Sequence, residues 1–82
     1  MIKSIKHNNY LQLISFLKRV RLERNLTMRD LAHLLDEPFQ LINKIESAER
    51  KLSVHEYVQY CNALGIDASD GLKILEGKVP SK

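Results

Sequence analysis

Residues Thr27 to Glu46 read TMRDLAHLLDEPFQLINKIE, and this stretch decides the fold. It divides into a short helix, a tight turn and a second short helix. Leu31, Ala32 and Leu35 share one face of the first helix, and Ile42 and Ile45 share one face of the second. Two short amphipathic helices crossing near a right angle bury little by themselves, so a third element must cover them. The second helix is then left protruding, at a size that suits the major groove of DNA.

On the N-terminal side, Tyr10, Leu13, Ile14, Leu17 and Val20 recur at three- and four-residue steps and predict a long helix. Asn8 or Asn9 can cap it, and Met1 to His7 is expected to be loose. Leu11, Phe16 and Leu22 lie off the stripe. Asn25-Leu26 ends the helix. Thr27 then caps helix two, with Asp30 three residues on, in a box where Glu or Gln is usual. Helix two ends at Leu35. Asp36 takes the turn, because Asp tolerates the left-handed conformation better than most residues. Pro38 suits the first turn of helix three, which runs to about Ser47.

On the C-terminal side, Ala48 to Leu52 reads as a loop. Ser53 with Glu56 forms a full capping box, and Val54, Tyr57, Val58, Cys61 and Leu64 form the expected buried stripe of helix four. Gly65 stops it. Asp67 or Ser69 opens a short fifth helix with Leu72 and Leu75 apolar, and Gly77 and Pro80 close the fold. No strand pattern occurs. The expected fold class is all-α with five helices.

At 82 residues the chain has room for one core, so residues 1–82 are read as one domain. The core is placed at 9–77 and the helix-turn-helix at 27–47. Hydrophobic residues make up 44% and charged residues 28%, ordinary for a globular protein. Five aromatics and no Trp imply a mostly aliphatic core. Apolar residues run together only two or three at a time, which leaves no membrane-spanning segment, and the basic N-terminus lacks the apolar stretch of a signal peptide. Cys61 is the only cysteine, so no internal disulfide forms and a reducing cytoplasm is the expected compartment.

A net charge of +3 permits an acidic partner without demanding one. Residues 18–51 carry eight Lys or Arg against six Asp or Glu. A solvated mixed-charge surface is the competing reading of that balance.

With these residues laid out, the chain resembles the phage-repressor-like helix-turn-helix family, the Cro and lambda-repressor type. The carrying segments are RLERNLTMRDLAHLL, then P-x-Q-x-I-N-K-I-E-S-A-E-R-K-L, then YCNALGID. The resemblance spans about Leu17 to Ile66 and, more loosely, the fifth helix. It looks closest to short single-domain regulators of bacteria and their mobile elements. Four positions depart from the family pattern. Asp36 stands where Gly is usual at the turn, and Glu37 where a small apolar residue is usual. Met28 replaces a Gln whose side chain meets a phosphate, and Ala48 replaces a Gly after helix three.

If Ile42 and Ile45 face inward, Phe39, Gln40, Asn43, Lys44 and Ser47 face outward. Gln and Asn pair bidentately with adenine, Lys donates to guanine, and a Phe can press on a thymine methyl. The resemblance carries base reading to Phe39, Gln40, Asn43 and Lys44. A solvated helix face is the alternative, and Phe39 is the residue it explains least well. Phosphate contacts are expected at the rim, from Thr27, Met28 and Arg29 at the start of helix two, from Ser47, and from Arg50 and Lys51 in the loop. The resemblance also pairs Arg21 with Glu46 as a partly buried ion pair that orients the reading helix.

Other chemistry finds little support. His7, His33 and His55 match no metal-ligand spacing, and His33, between the expected core positions Ala32 and Leu34, is expected to face solvent. Cys61 falls on a buried stripe, as an inert thiol does. No nucleophile elbow or phosphate loop is present, so no enzyme, cofactor, metal or small-molecule ligand is expected. The expected partner is double-stranded DNA. One helix-turn-helix reads only a few base pairs, so a homodimer on a palindromic site is expected, with Leu72, Ile74, Leu75 and Val79 as its seam. An antitoxin or protein-interaction module on the same fold, and the controller protein of a restriction–modification operon, remain the alternatives. A toxin partner usually needs an extra segment, and only Lys78 to Lys82 is spare.

Overall fold

The computed structural model describes residues 3–77, with side chains from residue 8 onward. Five helices follow in order: α1 (Lys3–Glu23), α2 (Met28–Leu35), α3 (Phe39–Glu46), α4 (Val54–Leu64) and α5 (Ala68–Glu76). No strand occurs among the described residues.

Local chemistry sets where these helices begin and end. Thr27 Oγ1 accepts from the Asp30 N–H at 3.0 Å, and Asp30 Oδ2 accepts from the Thr27 N–H at 2.9 Å, so the shorter acid still closes the box. Ser53 and Glu56 do the same at α4, at 3.1 and 2.9 Å. The first four helices share one kind of ending. At α2, the Asp36 N–H donates to His33 O and the Glu37 N–H to Ala32 O, which satisfies carbonyls the helix leaves open. The same pair of bonds closes α1 at Asn25-Leu26, α3 at Ala48-Glu49 and α4 at Gly65-Ile66. Each ending needs a left-handed residue: φ is 59° at Asn25, 57° at Asp36, 65° at Ala48 and 74° at Gly65.

The core is one cluster. Leu13, Ile14, Leu17 and Val20 of α1 meet Leu31 and Ala32 of α2, Ile42 and Ile45 of α3, and Tyr57, Tyr60, Cys61 and Leu64 of α4. The turn between α2 and α3 is therefore held against a third and a fourth helix, as two short helices require. α5 lies along α1 with Gly71 innermost. A Cβ at Gly71 would fall 2.7 Å from Leu13 Cδ1 and against the Tyr57 hydroxyl, which donates to Ala68 O. Arg24 reaches from the end of α1 to the last carbonyl of α4, Leu64 O.

Four expectations need correction. α1 already includes Lys3 and so does not start near Asn8 or Asn9. Asn9 is no cap; its Nδ2 donates to Leu75 O at 3.0 Å and ties α1 to the end of α5. In α4, Val54 is 83% exposed and Val58 is also exposed, while Tyr60 is 2% exposed. Burying a Tyr removes far more apolar surface than burying a Val, and the helix is rotated accordingly. In α2, Leu34 is 55% exposed beside an exposed His33, and the buried face is Leu31 and Ala32 with Leu35 at its edge. Pro38 is the residue before α3 rather than within it (φ −69°, ψ 149°). Val79 and Pro80 lie outside the described residues.

Candidate nucleic-acid interface

Ile42 is fully buried and Ile45 nearly so, which fixes the rotation of α3 about its axis. Gln40, Asn43 and Lys44 are exposed on its other side, with Ser47 exposed just past its end. These four present two amides, an ammonium and a hydroxyl on one convex surface. Ser47 Oγ donates to Lys44 O at 3.1 Å and lies 2.8 Å from Glu49 Oε2, so its hydroxyl already has partners within the chain.

Phe39 differs from its neighbours. It is half-buried against the core, and the Arg29 guanidinium lies over its ring, 4.5 Å from the centroid. Packing and stacking thus explain a phenylalanine on the outer side of α3. Met28 is half-buried against the core and has no side-chain donor to offer a phosphate. Thr27 Oγ1 is engaged in the cap of α2, and Arg29 is exposed in its first turn.

The loop after α3 carries a pairing that sequence reasoning did not anticipate. Arg50 Nη2 lies 2.7 Å from Glu56 Oε2, and Arg50 Nη1 donates to Glu56 Oε1 at 3.0 Å. Two of the five N–H donors of Arg50 are thereby occupied, and three remain. The Arg50 guanidinium, then the Ser53 N–H, holds the Glu56 carboxyl at about 2. Lys51 is exposed and has no ion-pair partner among the described residues.

Behind the surface, Arg21 and Glu46 are joined side by side. Arg21 Nε lies 2.6 Å from Glu46 Oε2 and Nη2 lies 3.0 Å from Oε1, with the side chains only 6% and 4% exposed. Arg21 Nη1 also donates to Leu26 O at 2.7 Å. One guanidinium therefore fastens the end of α1, the α1–α2 turn and the last residue of α3. The hydrogen bonds to Glu46 raise the Arg21 pKa against the opposing effect of burial.

Of the four residues assigned to a dimer seam, Leu72 is exposed at 46%, whereas Ile74 and Leu75 are half-buried against the chain's own core. The reason is rotational. With Gly71 innermost, Leu75 lies about 40° and Ile74 about 60° away around α5, while Leu72 lies about 100° away. Val79 is outside the described residues. Among those residues no group of three or more His, Cys, Asp or Glu could hold a metal, and burial pushes the Cys61 thiol up. No helix of the described residues is long and apolar enough to cross a membrane.

A bihelical unit braced by three other helices, with a polar convex face on its second member, defines a helix-turn-helix domain. Residues 17–70 match the model of a family described as helix-turn-helix. A solved XRE-family like protein from Pseudomonas syringae pv. tomato str. DC3000 is 33% identical over 95% of both chains, with a TM-score of 0.86. No curated protein matches. The chain belongs to the XRE-type, Cro/lambda-repressor-like helix-turn-helix family, a family of DNA-binding transcription regulators.

Proposed function

We propose that the protein binds double-stranded DNA sequence-specifically as a homodimer, with α3 lying in the major groove of each half of a palindromic operator. The single observation that carries this reading is the two-faced α3. Ile42 and Ile45 lock one side into the core, and Gln40, Asn43 and Lys44 stand exposed on the other. Amide side chains suit adenine edges and an ammonium suits guanine acceptors. Lys51, Arg29 and the remaining donors of Arg50 supply the flanking charge for phosphates. The chain acts as one domain with its helix-turn-helix at 27–47, regulates transcription rather than catalysing a reaction, and works in the bacterial cytoplasm on the nucleoid.

Selection from random duplexes at moderate salt tests the reading directly. One enriched palindromic motif is expected, with log K falling by several units per unit of log salt. Gln40→Ala should relax preference at one base position of that motif, at a cost of ~1–3 kcal/mol there. Lys51→Ala should weaken all sequences about equally and reduce the salt slope by about one. Absence of any enriched motif would move the reading to a protein-interaction module.

A further inference from the structure

The arginines around the helix-turn-helix are held in different ways. Arg21 is closed into the Glu46 carboxylate, Arg50 is clamped on Glu56, and Arg24 donates to the end carbonyls of α4. Arg29 has no ion-pair partner among the described residues, and what holds its guanidinium is the face of Phe39. Its charge is therefore oriented without being neutralised. It stands one residue after Met28, which offers no donor of its own. Phe39 in turn has one face under the guanidinium and is itself half-buried against the core, which leaves little surface for a thymine methyl.

We infer that Phe39 is a positioning residue: it holds Arg29 so that the two form a single phosphate grip where α2 and α3 both begin. The inference rests on the DNA-binding reading above and departs from the sequence expectation at Phe39, which orients a cation instead of reading a base. A long arginine loses rotamer freedom when it grips a phosphate, and a ring already under its guanidinium has removed part of that freedom beforehand.

The test is a salt titration of duplex binding by the full chain, with variants at both positions. Arg29→Gln should lower the log–log salt slope by about one. Phe39→Leu keeps an apolar side chain against the core but removes the ring. It should cost roughly three- to tenfold in affinity on every sequence alike. Phe39→Tyr, which keeps the ring, should bind like the wild type. Phe39→Leu should cost less than twofold more when Arg29→Gln is already present. Melting by circular dichroism, with binding measured well below the transition, separates these effects from lost stability. The inference is overturned if Phe39→Leu changes preference at one base pair and does so equally in the Arg29→Gln background. It is also overturned if Arg29→Gln leaves the salt slope unchanged. If the wild type binds duplexes without preference, the sequence-specific reading fails, and the coupling of the two residues is still read from the same slopes.

Discussion

At Ala48 the backbone is left-handed, φ 65°, in a residue whose Cβ opposes that conformation. The bonds from the Ala48 N–H to Ile45 O and from the Glu49 N–H to Lys44 O require it. Ala48→Gly should therefore stabilise the fold by about 1 kcal/mol, read as a higher Tm with an unchanged helical spectrum. An unchanged or lower Tm would mean that the gain in unfolded-chain entropy equals or outweighs the relieved strain. The Arg21–Glu46 pair gives a second residue-scale expectation. Arg21→Met should cost about 3 kcal/mol, because it strands a carboxylate that is almost wholly out of water. Arg21→Met combined with Glu46→Leu should recover much of that loss. Additive losses in the double variant would show that the two side chains do not act on each other.

At the scale of the element, α4 begins where two functions of Glu56 meet. Its carboxylate accepts from the Ser53 N–H, closing the cap, and from both terminal nitrogens of Arg50. These bonds lower its pKa from 4.5 to about 2. A carboxylate whose pKa is lower folded than unfolded stabilises the fold above the unfolded value, and that contribution is lost as pH falls toward the folded one. Acid unfolding should thus draw on Glu56 between about pH 4.5 and about pH 2. Glu56→Gln should be less stable than the wild type near neutrality and should lose less on acidification across that window. Parallel pH profiles for the two proteins would show that the Glu56 pairing does not persist in solution.

For the whole molecule, the proposed assembly centres on α5. Leu72 faces out, whereas Ile74 and Leu75 flank Gly71 against the core. Leu72→Glu should leave the melting curve nearly native and convert a dimer to a monomer in sedimentation. Cooperative binding to a palindrome should fall with it, while weak half-site binding persists. Ile74→Glu should instead lower stability, since it brings a charge against the core. A wild type that sediments as a monomer at tens of micromolar and stays one on DNA would show that no seam exists.

The five helices, their caps at Thr27 and Ser53, and the turns at Asn25, Asp36 and Gly65 were legible in the sequence. Each depends on chemistry within a few residues: a hydroxyl reaching an amide, or a backbone that must turn left-handed. The inward face of α3 was legible for the same reason, since Ile42 and Ile45 leave one rotation open to the helix. The Arg21–Glu46 pairing came from resemblance, because nothing local links residues on different helices. Only the tertiary structure decided how α4 rotates, where Val54, Val58 and Tyr60 all fit a helical period and competing buried areas settle the choice. It alone showed that Gly71 leaves room for Leu13 and Tyr57, that Arg50 is occupied by Glu56, and that Arg29 lies on Phe39. Those facts belong to surfaces that meet only when the helices pack, and periodicity along one helix carries no information about its neighbour.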